Sequence, residues 1–212
     1  MNTPISEQVR LIKQSFRQLM DGAVAQSMRD KGISYPLNWG VTLPRLRAMA
    51  QELGQHYHLA LALWRENVRE CRILATMTMP PDQLLPEVAD LWMEQTDTVE
   101  LAEQAAMNLY CRLPYAPRKA YEWIASEHPL YRLCGFHVLS RLFMEGREPN
   151  ERGINEFLDQ ALAALSVSEP LSVRKAALNS LQRFASLGLV YRRMVESILN
   201  QAQNNVALSD LT

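Results

Sequence analysis

His128-Pro129-Leu130-Tyr131-Arg132-Leu133-Cys134-Gly135-Phe136-His137-Val138-Leu139 and, further along, Glu169-Pro170-Leu171-Ser172-Val173-Arg174-Lys175-Ala176-Ala177-Leu178-Asn179-Ser180-Leu181 are two versions of one pattern. Each opens with a proline, tolerated in the first turn of a helix because the N–H groups there have no intrahelical partner. Three residues after Arg132 and Arg174 stand small residues, Gly135 and Ala177, and seven after them stand Leu139 and Leu181. The small residue lets a neighbouring helix approach closely, and the apolar one lies on the same helical face. Arg72, Ala75 and Met79 repeat the spacing. The two full copies lie 42 residues apart, the period of repeats built from stacked helix pairs.

Working outward, the rest of the chain reads the same way. Val9, Ile12, Phe16 and Leu19 form one face of a helix from about Ile5 to Met20. Thr42 and Pro44 open a second, with Leu46, Met49, Ala50 and Leu53 as its stripe. Further helices are expected at 57–66, 68–78, 83–95, 98–112, 117–126, 130–144, 151–165, 171–186 and 190–203, with breaks at Gly54, Pro80-Pro81, Pro114, Pro129, Pro149 and Pro170. Glycine is scarce and the β-branched clusters of strands are missing. The expected fold is all-α, a HEAT-like α-solenoid of stacked antiparallel helix pairs, with 1–203 a single domain and 204–212 a loose tail. No stretch rich in Pro, Gly or Ser divides it.

The 212 residues carry 22 Lys plus Arg against 23 Asp plus Glu, a formal net charge of −1 that gives no whole-chain steering toward a polyanion. The distribution is uneven. Between Ile73 and Cys111 there is no basic residue and seven acidic ones, whereas 112–193 holds 12 basic and 8 acidic residues. Arg112, Arg118, Lys119, Arg132, Arg141, Arg147, Arg174, Lys175, Arg183, Arg192 and Arg193 recur once or twice per helix. A solenoid with one basic residue per repeat on its concave face would track a phosphate backbone, and solvated helix faces of mixed sign are the plainer alternative.

Other chemistries leave no signature. No run resembles a Gly-rich phosphate loop. His56 and His58 are two apart, a spacing unsuited to a helical metal site, and His137 sits on an apolar helix. The expectation is no metal and no cofactor. Cys71, Cys111 and Cys134 are odd in number and scattered, as for buried reduced thiols in a cytoplasmic protein. No apolar run reaches the length of a membrane span, since Arg65, Glu66, Arg69 and Glu70 interrupt the richest one, and the first ten residues lack a signal-peptide block.

Several segments resemble the HEAT-repeat alkylpurine DNA glycosylases, the AlkD family. Asn38-Trp39-Gly40-Val41-Thr42-Leu43-Pro44-Arg45-Leu46-Arg47 is similar to the family's opening motif, in which a Gly-Val pair precedes a Pro-x-x-Arg helix. Glu70-Cys71-Arg72-Ile73-Leu74-Ala75 resembles its E-x-R-x-L-A helix. Asp97-Thr98-Val99-Glu100 falls where the family reads Trp-Asp-x-Val-Asp, which puts Glu100 in the place of the catalytic carboxylate and Thr96 in that of a tryptophan. Trp123-Ile124-Ala125-Ser126 followed by Tyr131-Arg132 resembles the segment carrying the active-site arginine, which falls on Arg132. Val173-Arg174-Lys175-Ala176 through Leu181 and Phe184-Ala185 is similar to the K-A-x-x-W-x-L helix, with Asn179 in place of the second tryptophan. The resemblance spans roughly residues 38–186.

What the resemblance implies is duplex DNA as partner and hydrolysis of the N-glycosidic bond of a cationic N3- or N7-alkylated purine. The alkylated base already leaves readily, so the enzyme's task is to stabilise positive charge developing on the deoxyribose and to orient the attacking water. A carboxylate aimed at the sugar does both. An arginine holds the phosphate, two tryptophans pack on the sugar-phosphate backbone, and the base is not flipped into a pocket. By this resemblance Glu100 and Arg132 are the catalytic pair, and Arg112, Arg118, Lys119, Arg174, Lys175, Asn179 and Arg183 would meet DNA. Thr96, Glu100 and Asn179 depart from the family at three of four active-site positions, and the Glu100 carboxylate is one methylene longer. A catalytic group misplaced by about 1 Å can cost about 100-fold. Trp92 and Trp123 could supply replacement rings but sit on apolar stripes that read as core. Two functions therefore follow: a DNA-binding glycosylase, or a catalytically inactive HEAT-repeat scaffold for nucleic acid or protein, in either case expected as a monomer.

Overall fold

The structure is a computed structural model that describes residues 3–209, with side chains described through Asn204. The described residues form twelve α-helices and two 3-10 turns and no strand. Packing divides the chain into two compact units, Met1–Pro114 and Tyr115–Thr212, where the sequence showed no linker.

In the first unit, α1 (Ile5–Gln18) buries Val9, Ile12 and Phe16 of the expected face, while Leu19 lies just past the helix end and is exposed. A helix that the apolar pattern did not announce follows, α2 (Gly22–Asp30), with Ala25 as its one buried residue. Asp21 starts it by accepting the Ala23 and Val24 N–H groups. Then come α3 (Leu43–Leu53), α4 (Tyr57–Arg65), α5 (Arg69–Thr78), a 3-10 turn at Pro81–Gln83, α6 (Pro86–Glu94), α7 (Val99–Asn108) and a 3-10 turn at Tyr110–Arg112. The single helix expected over 98–112 breaks at Leu109, whose backbone leaves the helical region. Stacking is like on like. Helix α5 packs on α7, and α4 meets α6 through Trp64 and Trp92, whose rings lie parallel at 4.2 Å.

In the second unit, α8 (Ala116–Ile124), α9 (Pro129–Met144), α10 (Glu151–Ala164), α11 (Leu171–Ala185) and α12 (Leu189–Ser209) repeat the scheme. Helices α8 and α9 pair, α10 and α11 pair, α9 stacks on α11 and α8 on α10. Phe143, Phe157 and Phe184, from α9, α10 and α11, meet with centroids 5.1–5.2 Å apart and tie the layers together. Residues 204–209, expected as a loose tail, instead continue α12. Nothing between Gln201 and Ser209 is a proline or glycine, so no residue stops the helix. Residues 210–212 of that tail lie outside the described residues.

The repeat seen in the sequence is the packing rule of α5, α7, α9 and α11. The fourth residues of these helices are Arg72, Ala102, Arg132 and Arg174, and three positions on come Ala75, Ala105, Gly135 and Ala177, all buried. Seven positions on come Met79, Leu109, Leu139 and Leu181, also buried. At Gly135 a Cβ would stand 2.8 Å from the Ala120 carbonyl oxygen and the Ile124 nitrogen, so α8 crosses α9 at backbone contact. Arg72, Arg132 and Arg174 thus share one register near the starts of their helices. No helix among the described residues is long and apolar enough to cross a membrane.

Candidate nucleic-acid interface

Glu100 stands in the first turn of α7, behind the Thr98 cap whose hydroxyl accepts the Leu101 N–H at 3.2 Å. The helix start favours a carboxylate there. Its surroundings, however, are occupied. Arg69, the first residue of α5, donates from Nη2 to Glu100 Oε1 at 2.6 Å and from Nε to Oε2 at 2.8 Å, a bidentate pair. Tyr35 adds its hydroxyl to Oε2 at 2.9 Å and accepts from Thr98 Oγ1 at 2.7 Å. The Arg69 side chain is 3% exposed and that of Glu100 14%.

A second carboxylate completes the cluster. Glu70 has no exposed surface and accepts the backbone N–H groups of Trp39 and Val41, each at 3.2 Å to Oε1, and Arg69 Nη1 at 3.2 Å. Arg69 Nη1 also donates to the Val41 carbonyl at 2.8 Å, and the Arg69 N–H to that of Leu37 at 3.0 Å. These bonds clamp the segment 35–42 onto the starts of α5 and α7. Gly40 is needed in it: its φ is +75° and a Cβ would lie 2.0 Å from the Asp21 carbonyl oxygen. Burial works against the Arg69 cation, but the hydrogen bonds and charge of Glu100, with the charge of Glu70, outweigh it and hold its pKa above the ordinary value. Burial, then the negative charge of Glu100, pushes the Tyr35 phenol upward, so it stays a neutral donor.

Most other residues singled out in the sequence are committed as well. Thr96, at the position the resemblance gives to a tryptophan, is buried and returns its hydroxyl to the Trp92 carbonyl at 2.8 Å. Trp92 and Trp123 are core residues, 2% and 3% exposed. Arg72 lies 5.6 Å from the centroid of the Trp64 ring and donates to the Gln95 carbonyl at 3.0 Å. Arg112 is exposed in its 3-10 turn.

The remaining sequence-predicted residues belong to the second unit. Arg132 is buried and forms a 2.5 Å ion pair with Glu169, the residue before the proline that opens α11. Lys119 is also buried, with Nζ 2.7 Å from Glu122 Oε2. Arg174 is half-buried, and Arg118, Lys175, Asn179 and Arg183 are exposed. Asn179 accepts the Ser140 hydroxyl at 3.0 Å, a bond between α11 and α9. Arg118 leans on Glu122 at 3.7 Å and on the Tyr115 ring.

The sequence marked Arg69 only as a charge interrupting an apolar run, marked Glu70 as that and as the first residue of the E-x-R-x-L-A match, and gave no sign of Tyr35. A charged dyad inside a helix otherwise destined for burial was the available signal for the first two, because such charges persist in a core when paired. Tyr35 had none.

This geometry sits on a fold with known relatives. The family model described as DNA alkylation repair enzyme matches residues 12–163. Among solved structures, a protein from a new family related to the HEAT-like repeat DNA glycosylases, with affinity for branched DNA structures, superposes with a TM-score of 0.81 at 17% identity. The match covers 91% of this chain and 82% of that one, and it concerns the fold. No curated protein matches the chain. The family match covers well over half of the chain, and the HEAT-like helix stacking agrees with it: the chain belongs to the DNA alkylation repair enzyme family.

Proposed function

We propose that this chain binds DNA through the phosphate backbone and does not excise alkylated bases. The bidentate Arg69–Glu100 pair carries this reading. A carboxylate that stabilises an oxocarbenium ion must present uncompensated negative charge to the sugar at the moment of reaction. Here three donors, two from a buried guanidinium and one from Tyr35, already converge on Glu100. A positive charge at hydrogen-bond distance cancels most of the field, and turning the carboxylate toward a substrate would leave Arg69 buried without its main partner. Both aromatic walls are replaced as well, by a back-bonded Thr96 and an exposed Asn179.

Phosphate binding is supported by family membership and by the exposed cations Arg118, Lys175 and Arg183 of the second unit, with Arg174 half-buried among them in the repeat. The structural relative is described as having affinity for branched DNA structures. A cytoplasmic monomer acting on DNA without a cofactor is the form this reading takes. The excision reading keeps one observation in its favour, the 14% of the Glu100 side chain that solvent still reaches.

The test of binding is a salt titration with a labelled duplex. Log affinity should fall linearly with log salt, and Lys175→Ala/Arg183→Ala should flatten the slope by about 1.8, near 0.9 for each phosphate contact removed. An affinity indifferent to salt overturns the proposal.

A further inference from the structure

The outward face of α1 carries a feature that neither the repeat pattern nor the Glu100 cluster uses. Ser6, Arg10, Lys13, Gln14 and Arg17 line an open groove of about 520 Å³, with Val9 as its apolar contribution and Glu66 on its wall. The spacing explains the shared face: positions 10, 13 and 17 fall on one side of a helix, and Arg10 and Arg17 are two turns, about 10 Å, apart along the axis. Ile12 and Phe16 anchor the opposite side in the core, and the buried Val9 lies at the edge between the two, so the stripe is held in place by packing.

The lining residues comprise three cations and one carboxylate. Two of the cations have partners. Arg10 meets Glu7 at 2.5 Å, both exposed, and Lys13 meets Glu66 at 2.6 Å, each about one-third exposed. Solvent-exposed pairs of this kind contribute roughly 0–1 kcal/mol, so an incoming polyanion can compete for the cations. Arg17 is exposed and makes no ion pair among the described residues. Apart from Val9 the groove offers no apolar or aromatic anchor, the feature a protein partner needs for its central contacts. Cations one to two turns apart, with the Gln14 amide between them and the Ser6 hydroxyl one turn before Arg10, suit a repeating anion instead.

We infer that the α1 groove is a phosphodiester-binding site in its own right, taking the sugar-phosphate backbone of a nucleic acid on Arg10 and Arg17, with Gln14 and Ser6 donating to phosphate oxygens. The inference rests on the DNA-binding reading above but on different residues, in the other compact unit, so the two can fail separately. The probes are a labelled DNA duplex and a labelled four-way junction, titrated against salt with wild type, Arg10→Ala/Arg17→Ala, Arg10→Lys/Arg17→Lys and Lys175→Ala/Arg183→Ala.

Removing two phosphate contacts should flatten the slope by about 1.8 and, at about 0.1 M salt, weaken binding by tens of fold. The double lysine variant should keep the wild-type slope, because charge is retained, and all four proteins should melt together since the altered residues are exposed. If Arg10→Ala/Arg17→Ala binds both probes as wild type does while Lys175→Ala/Arg183→Ala is weakened, the α1 inference is overturned and the broader reading stands. If only the α1 variant is weakened, the groove is supported and the second-unit contacts are overturned. A wild type that binds neither probe overturns both.

Discussion

Replacing Arg69 by methionine tests the Glu100 cluster from its centre. The substitution keeps much of the volume but removes both hydrogen bonds to Glu100, the contact with Glu70 and the bond to the Val41 carbonyl. Two carboxylates then share the site without a cation, one fully buried and one 14% exposed. Truncating one partner of a buried charge pair costs about 3–5 kcal/mol. Glu100→Gln is milder: Arg69 keeps Glu70 at 3.2 Å and the Val41 carbonyl at 2.8 Å, so the loss is of charge-assisted bonds worth about 1.5–3 kcal/mol. Combining Arg69→Met with Glu100→Gln removes the cation and the charge it pairs with together. The double variant should therefore fall short of the summed single losses by about 0.5–3 kcal/mol, the range for residues in direct contact. Urea unfolding at neutral pH reads all three differences from the midpoints. Single variants within about 0.5 kcal/mol of wild type, or losses that simply add, would refute the claim that this pair holds the site together.

Two further outcomes follow from the packing. Gly135→Ala should destabilise by about 1–3 kcal/mol, because its Cβ would press on the α8 backbone at 2.8 Å; Gly22→Ala meets nothing within 4 Å in α2 and should stabilise by about 0.4–1 kcal/mol. Thermal melts of the pair check the contrast, and equal effects would contradict the close α8–α9 crossing. Burial, and then the charge of Glu66, pushes the Cys71 thiol up to about 12 from 9.0. The native state therefore holds a proton that the unfolded chain releases, and stability present below about pH 9 should drain away as pH rises toward 12. Urea midpoints at pH 8 and pH 10.5 should show the fall, lessened in Cys71→Ala; an identical fall in that variant would contradict it.

Most helices were legible because their apolar stripes and prolines are strong local signals. Helix α2 was not: its burial is confined to Ala25 and only the Asp21 cap marks it. The repeat was read where an arginine labels it, at 72, 132 and 174, and overlooked in α7, where Ala102 takes that place while Ala105 and Leu109 keep the packing. The end of α12 was missed because polar composition suggested a tail, although nothing there breaks a helix. At the site, local motif order singled out Glu100 as a candidate. Its partners did not stand out, since Arg69 is 31 residues away and Tyr35 is 65. Contacts at such separation leave no local period, and they decide what the carboxylate can do.

The most direct test of that decision is base release from duplex DNA carrying 7-methylguanine, with protein in excess at a salt concentration where binding is saturated. Wild type should release no base above the level of Glu100→Gln. Release by wild type that Glu100→Gln abolishes, with binding unchanged, would contradict the account and make Glu100 the catalytic carboxylate.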